Sequence, residues 1–314
     1  MRLVLLGTSA GVPTRERGLS AAALQLGGRA WLVDCGEGTQ RQMLRTGLRP
    51  TRIDRILITH LHGDHCWGLP GLLASIGMHG RSDPIEVAGP EGLREWLETT
   101  LRISATRLPY RLELKELGAR GGTLADRDGI RVEAWPLRHR VSSFAWVVRE
   151  PSRRGSLDVA RAVRLGVPKG PLLGRLAEGK AVVLDEGRRV EPDEVLGPER
   201  PGRVAVLCGD SADSRILAST APECDLLVHE CTFAPEEADR ARLTGHSSGR
   251  DVIELARAVR PRILVLTHWS PRHTTSHGSR PTEDLCREIA DALPGIRVIA
   301  GRDGLELDVP ARED

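Results

Sequence analysis

The sequence predicts a layered α/β fold that carries a metal-binding cluster along one edge of a sheet. Three observations lead there. Short runs rich in Val, Ile and Leu, each of strand length, recur along the chain, and stretches of helical length lie between them. The runs also end at polar residues, several of them His, Asp or Glu.

Residues 3–6 read as the first strand, ending at Gly7-Thr8, and residues 30–33 as another, ending at Asp34-Cys35-Gly36. Residues 56–58 lead into Thr59-His60. A buried helix is predicted over 68–78 and an amphipathic one over 91–101. Three further strands, at 204–207, 226–228 and 263–266, run into Gly209-Asp210, His229-Glu230 and Thr267-His268. The helix predicted over 249–259 carries Val252, Ile253, Leu255, Ala256 and Val259, and residues 282–293 read as the last helix. Continuous apolar runs fit strands covered on both faces. Their alternation with helices predicts sheet between helices, with functional loops along one edge.

Residues 150–202 break this pattern, being rich in Gly, Pro and Arg with only short apolar pieces. They read as a flexible arm, drawn at about 150–190, inserted into a single domain spanning 1–314. Between 150 and 189 the nine bases Arg153, Arg154, Arg161, Arg164, Lys169, Arg175, Lys180, Arg188 and Arg189 face five acids, a local balance of +4. A basic projection can grip phosphates without reading bases, and a solvated loop is the plainer account of the same charges.

The 314 residues, 40% hydrophobic and 28% charged, support one large core and exclude a disordered chain. A net charge of +2 excludes a generic polyanion binder, so partners must be argued from local charge. The apolar run at 3–6 is too short for a signal peptide or membrane helix, which predicts a cytoplasmic protein without a membrane partner. The six cysteines show no CxxC spacing and read as reduced, mostly buried thiols. Cys66 adjoins the histidine cluster and is the one cysteine with any claim to a metal.

That cluster is His60-Leu61-His62-Gly63-Asp64-His65, directly after a strand. Three imidazoles and a carboxylate in six residues suit zinc better than magnesium or calcium. A lone histidine is ordinarily a satisfied core or surface residue, but this spacing leaves that account little room. His139, Asp210 and His268 share the strand-end placement and are candidate partners. Glu230 and His246 form a candidate carboxylate–imidazole pair for proton transfer, against the alternative of a structural hydrogen bond. Arg272 is a candidate phosphate contact or a salt-bridge partner. Asp34 reads as fixing a turn or a ligand histidine. His79, His229, His273 and His277 read as capping, supporting or solvent-exposed residues.

Here the residues resemble a known family. His60–His65, His139, Gly209-Asp210 and Thr267-His268-Trp269-Ser270 resemble the metallo-β-lactamase superfamily in order and spacing. Within it the chain is similar to ribonuclease Z from residue 1 to about 305. The motifs that carry this are Gly7-Thr8-Ser9-Ala10-Gly11-Val12-Pro13-Thr14, Asp34-Cys35-Gly36-Glu37-Gly38-Thr39-Gln40, the HGDHxxGLPGLL stretch at 62–73, Gly166–Leu172 in the arm, His229-Glu230-Cys231-Thr232 and Gly245-His246-Ser247-Ser248. The resemblance implies an αββα sandwich, an endonuclease that removes the 3′ trailer from precursor tRNA, two zinc ions per subunit and a homodimer. It implies one zinc on His60, His62 and His139, a second on Asp64, His65 and His268, and Asp210 bridging. It also implies that Asp64 accepts a proton from the attacking water, that Glu230 and His246 move a proton at the leaving group, and that Arg153, Arg154, Lys169, Arg175 and Arg272 contact substrate. Two divalent ions against two carboxylates leave positive charge suited to a phosphodiester.

The chain departs from the family pattern in three places. Pro13-Thr14-Arg15-Glu16-Arg17-Gly18 stands where PxKxRN, a loop associated with sensing CCA, is usual. Ser211-Ala212 follows Gly209-Asp210 in place of the usual Thr and its neighbour, and Ser248 replaces a Thr. A small-molecule phosphodiesterase and an RNA-binding protein without catalysis are the competing readings. The complete ligand set opposes the second, and the arm and paired loops oppose the first.

Overall fold

The computed structural model describes residues 1–185, 187–273 and 280–312. Two seven-stranded sheets dominate it. The first runs, in spatial order, Glu306–Asp308, Arg2–Gly7, Ala21–Leu26, Arg29–Val33, Ile53–Leu57, Ile85–Pro90 and Leu112–Leu117. The second runs Arg297–Ala300, Ile263–Thr267, Leu226–Glu230, Val204–Cys208, Ser143–Arg149, Ile130–Leu137 and Gly122–Arg127.

Local sequence explains how each sheet is assembled. Gly27, at φ 62°, and Gly28 supply the two-residue turn that pairs Leu26 with Arg29 in an antiparallel hairpin. Parallel neighbours need longer crossovers, and the helices Leu69–Met78 and Leu93–Ile103 provide them between strands of the first sheet. Gly249–Val259 and Thr282–Asp291 do so in the second, where the strands from Val204–Cys208 to Arg297–Ala300 are all parallel. These four helices start and end within about two residues of their sequence-predicted limits.

Period-2 alternation divides each strand between two cores. Val4 and Leu6 pack with Leu69, Leu72, Leu73, Ile76, Leu93 and Leu97, while Leu3 and Leu5 are equally buried on the opposite face. In the second sheet Ala145 and Val147 pack with Val252, Leu255, Val259, Leu285 and Ile289, leaving Phe144, Trp146 and Val148 buried on the other side. The result is an αββα sandwich. The sheets are tied where Phe144 donates its amide to the Thr59 carbonyl at 3.0 Å, and again where Arg127 reaches Glu86 at 3.2 Å.

Residues Arg149–Arg203, with Asp128–Ile130, form a compact unit of their own. The short apolar pieces that looked unstructured in sequence converge there: Ala162, Val167, Leu176, Val182, Val190 and Val195 make a separate core. Asp158 caps the helix Val159–Arg164 by accepting the Arg161 amide at 2.8 Å, and Pro171 opens the helix Pro171–Ala177. The unit runs past residue 190 because the returning chain pairs with the outgoing one. Arg153 and Arg200 exchange two backbone hydrogen bonds of 2.7 Å, and Arg203 clamps Glu150 with Nε at 2.5 Å and a second nitrogen at 2.7 Å.

Candidate metal centre

Parallel strands deliver their C-terminal ends to one edge, and loops there carry the chemistry. His60 lies just beyond Ile53–Leu57, Asp34 beyond Arg29–Val33, Asp210 beyond Val204–Cys208, and His268 beyond Ile263–Thr267, while Glu230 closes Leu226–Glu230. All seven sequence-predicted ligands meet. His60, His62, His139 and Asp210 form one group, and Asp64, His65, Asp210 and His268 another, the candidate ligand atoms of each lying within 4.8 Å of one another.

Asp210 belongs to both. Its Oδ2 is 3.7 Å from His60 Nε2, while Oδ1 is 3.4 Å from His65 Nε2 and 3.3 Å from His268 Nε2. Asp64 Oδ2 stands 3.6 Å from His65 Nε2 and 3.4 Å from His268 Nε2. In the first group His62 turns Nδ1 inward, 3.1 Å from His60 Nε2 and 3.3 Å from His139 Nε2.

These donors fit a pair of divalent cations. The set is imidazole and carboxylate, the chemistry zinc favours. His65 Nε2 is buried without a hydrogen-bond partner, a rare state for an interior polar atom unless something else satisfies it. Burial holds His60, His62 and His139 below the ordinary imidazole range, hence neutral, the form that ligates. Burial opposes charge on His65 and Asp210 as well, but opposite charges outweigh it: Asp210 and Asp34 keep His65 high, and His268 and His65 keep Asp210 low.

Each candidate ligand histidine except His62 is oriented through Nδ1. His60 faces Thr59 Oγ1 at 3.1 Å, His65 donates to Asp34 Oδ2 at 2.7 Å, His139 to the Gly245 carbonyl at 2.6 Å, and His268 faces Thr232 Oγ1 at 2.9 Å. Asp34 and His268 both adopt the left-handed region, at φ 58° and 55°, a strain that clusters at such sites. Gly11 adds a backbone contact, its amide donating to Asp64 Oδ2 at 2.9 Å. The roles of Thr232, Gly245 and Gly11 were not read from sequence. Backbone groups leave no sequence signal, and only Thr232, inside the His229–Thr232 motif, offered one.

Glu230 and His246 do meet, with His246 Nδ1 donating to Glu230 Oε1 at 3.1 Å. Ser211 donates its amide to the same oxygen at 2.8 Å, and the Thr232 hydroxyl donates to Oε2. Burial works against a charged His246, but the adjacent carboxylate raises it to about 9. The ring stacks over His268, centroids 5.5 Å apart. With His62, Asp64, Asp210 and His268 it lines an open cavity of about 350 Å³.

Arg272 lines the same cavity, held by Ser270 Oγ at 3.1 Å, by Glu237 at 3.1 Å and by the Phe233 ring at 5.0 Å. Arg153, Arg154, Lys169 and Arg175 belong to the second compact unit, where all four are exposed. Of the two arginines in the altered N-terminal loop, Arg15 is exposed, and Arg17 is buried, donating to Thr8 Oγ1, the Gly301 carbonyl and Thr282 Oγ1. Ser248 is the N-cap of Gly249–Val259 in a reciprocal box with Asp251, a task serine and threonine both perform.

The remaining candidates stand apart from the ligands. His79 caps Leu69–Met78 and bonds the Ser75 carbonyl at 2.8 Å. His229 lies between Ser214 Oγ and the Glu230 carbonyl. His273, expected in solvent, is buried in a 3₁₀ turn beside Glu237. His277 lies outside the described residues. Cys66 contacts the Leu61 carbonyl, and burial pushes its thiol up to about 12, so it offers no thiolate.

Comparison with known proteins agrees with this geometry. The model of the metallo-beta-lactamase superfamily matches residues 16–149. Ribonuclease Z of Synechocystis sp. is 41% identical, covering 99% of this chain and 95% of its own length. Ribonuclease Z of Prochlorococcus marinus strain MIT 9303 is also 41% identical, covering 99% of each. The crystal structure of human tRNase Z, short form, superimposes with a TM-score of 0.71 at 29% identity, covering 99% of this chain and 100% of that one. The chain belongs to the ribonuclease Z family and has the metallo-β-lactamase fold.

Proposed function

We propose that this protein is a zinc-dependent endoribonuclease that removes the 3′ trailer from precursor tRNA and leaves a 3′-hydroxyl on the tRNA. The observation that carries this reading is the pair of ligand groups sharing Asp210 beside the Glu230–His246 pair, in a chain of the ribonuclease Z family. Two zinc ions would be held by His60, His62 and His139, and by Asp64, His65 and His268, with Asp210 common to both. When bound, such a pair supplies an activated water and positive charge for the phosphodiester.

The chain's own groups complete the reaction. Asp64, kept as a carboxylate because burial is outweighed by the combined influence of His268 and His65, accepts a proton from the attacking water. His246 stays doubly protonated against burial because Glu230 accepts its Nδ1–H, and it donates the other proton, on Nε2, to the departing ribose oxygen. Arg272 presents a planar fork at the mouth for a phosphate. The basic surface of the second compact unit, Arg153, Arg154, Lys169 and Arg175 included, holds tRNA through its phosphates.

The protein acts as a cytoplasmic homodimer. Its described cysteines are all free, and no helix among the described residues is long and apolar enough to cross a membrane. The helix Leu69–Met78 contains no charged residue yet leaves Met78, and Trp67 just before it, 87% and 68% exposed, a face suited to a second copy. The deciding assay gives purified protein a precursor tRNA with a 3′ trailer, with and without chelator. One chelator-sensitive cut at the trailer junction supports the reading. No cut, with rapid hydrolysis of a simple phosphodiester, shows a small-molecule phosphodiesterase instead.

A further inference from the structure

We infer that Thr232 is a positioning residue that locks His268 in its ligating tautomer and couples it to the Glu230–His246 pair, an inference resting on the proposed metal-hydrolase reading. Its hydroxyl touches three polar atoms: Glu230 Oε2, His268 Nδ1 at 2.9 Å and the His268 carbonyl oxygen at 3.1 Å. A hydroxyl has one proton to give and two lone pairs. Of the two oxygens it touches, the charged Glu230 carboxylate is a stronger acceptor than the neutral His268 carbonyl, so the hydroxyl proton goes to Glu230 Oε2. With that proton committed, the contact with His268 has only one arrangement left, in which Nδ1–H donates to Thr232 Oγ1.

The consequence is chemical. A proton on Nδ1 leaves the lone pair on Nε2, the nitrogen that faces Asp210 Oδ1 at 3.3 Å and Asp64 Oδ2 at 3.4 Å. The other three oriented histidines use Thr59, Asp34 and the Gly245 carbonyl. Among the described residues, Thr232 is the side chain that hydrogen-bonds both a ligand histidine and the Glu230 carboxylate. A shift of Glu230 is therefore transmitted to His268, and the orientation of His268 supports the carboxylate that holds His246.

Thr232→Val preserves the side-chain shape and removes the hydroxyl, whereas Thr232→Ser keeps it. Zinc affinity is measured by chelator competition, and the His268 tautomer by ¹⁵N NMR of the metal-free protein. The valine variant should lose about 10- to 100-fold in affinity for one zinc. It should also lower kcat on bis(p-nitrophenyl) phosphate without raising KM, and show an Nε2–H population at His268. Serine should restore all three to within a few-fold. Unchanged zinc affinity and tautomer in a folded valine variant would overturn the inference. So would an Nε2–H tautomer in the wild-type protein, which needs no variant to fold. A wild-type chain that binds no zinc defeats the reading beneath, and the two failures are thereby distinct.

Discussion

His65 donates Nδ1–H to Asp34 at 2.7 Å, and the same carboxylate receives the Thr59 amide at 2.7 Å and the Thr59 hydroxyl at 2.8 Å. One side chain thus aims a candidate ligand of the second group and anchors the loop that delivers His60 of the first. Asp34→Asn isolates the charge and the hydrogen bonds, because asparagine also tolerates the φ of 58° found here. The amide replaces one of the two acceptor oxygens with a donor. The predicted result is a folded protein whose zinc affinity is about 10- to 100-fold weaker, read by chelator titration. Wild-type affinity in this variant would mean that the Asp34 contacts are dispensable for the site.

If His246 supplies a proton to the leaving group, the effect of its loss should depend on the substrate. A general acid matters only when the leaving group needs protonation. His246→Ala should therefore lower kcat on precursor tRNA by about 100-fold or more while changing KM little. Hydrolysis of bis(p-nitrophenyl) phosphate, whose leaving phenolate is stable unprotonated, should fall far less. Equal losses on both substrates would assign His246 a structural role. Glu230→Gln should follow the same pattern more weakly, since it retains an acceptor for His246 Nδ1.

These two sites show what could be read in advance. His60 to His65 were legible as candidate ligands because four such groups lie within six residues at a strand end, and His139, Asp210 and His268 because each follows an apolar run. Asp34 was legible as a supporting residue for the same reason. The Gly245 carbonyl and the Gly11 amide were not, because every residue has such groups and only tertiary contact selects these. The core of Arg149–Arg203 was hidden for a different reason. Its helices are six and seven residues long, too short to display a 3.6-residue period, and Ala162, Leu176 and Val190 meet only after the chain folds back. The strands Ile85–Pro90, Leu112–Leu117 and Gly122–Arg127 likewise passed unread, since the latter two mix charged and apolar residues without clean alternation.

Away from the site, Arg55 and Glu86 form an ion pair at 2.9 Å between paired strands, their side chains 0% and 5% exposed. Trp31 stacks on the guanidinium at 4.7 Å, and Arg127 of the other sheet reaches Glu86 at 3.2 Å. Burial disfavours the Arg55 charge, so the carboxylate is what makes that charge tolerable. Removing one partner of such a pair leaves a buried charge uncompensated and costs about 3–5 kcal/mol. Glu86→Gln should thus shift the urea midpoint strongly downward while leaving kcat unchanged at low temperature. A variant as stable as wild type would show that the Ala125 carbonyl and the Trp31 ring suffice for Arg55.

The second compact unit offers the most direct test of whether substrate binding is separate from chemistry. Its nine basic side chains from Arg153 to Arg189 are all exposed, whereas its core consists of Ala162, Val167, Leu176, Val182, Val190 and Val195. Not all nine are equally available. Arg153 shares Glu150 with Arg203, Lys180 pairs with Glu178 at 2.7 Å, and Arg189 pairs with Glu191 at 2.6 Å. Changing Arg161, Arg164, Lys169 and Arg175 to Glu alters only exposed positions and keeps the core and the Asp158 cap. If this surface holds RNA phosphates, KM for precursor tRNA should rise by at least tenfold. The logarithmic salt dependence should also flatten, by about 0.9 for each phosphate that the variant no longer neutralises. Hydrolysis of a small diester should stay at the wild-type rate. A parallel fall in both activities, with an unchanged salt slope, would instead make the unit a structural support for the sandwich.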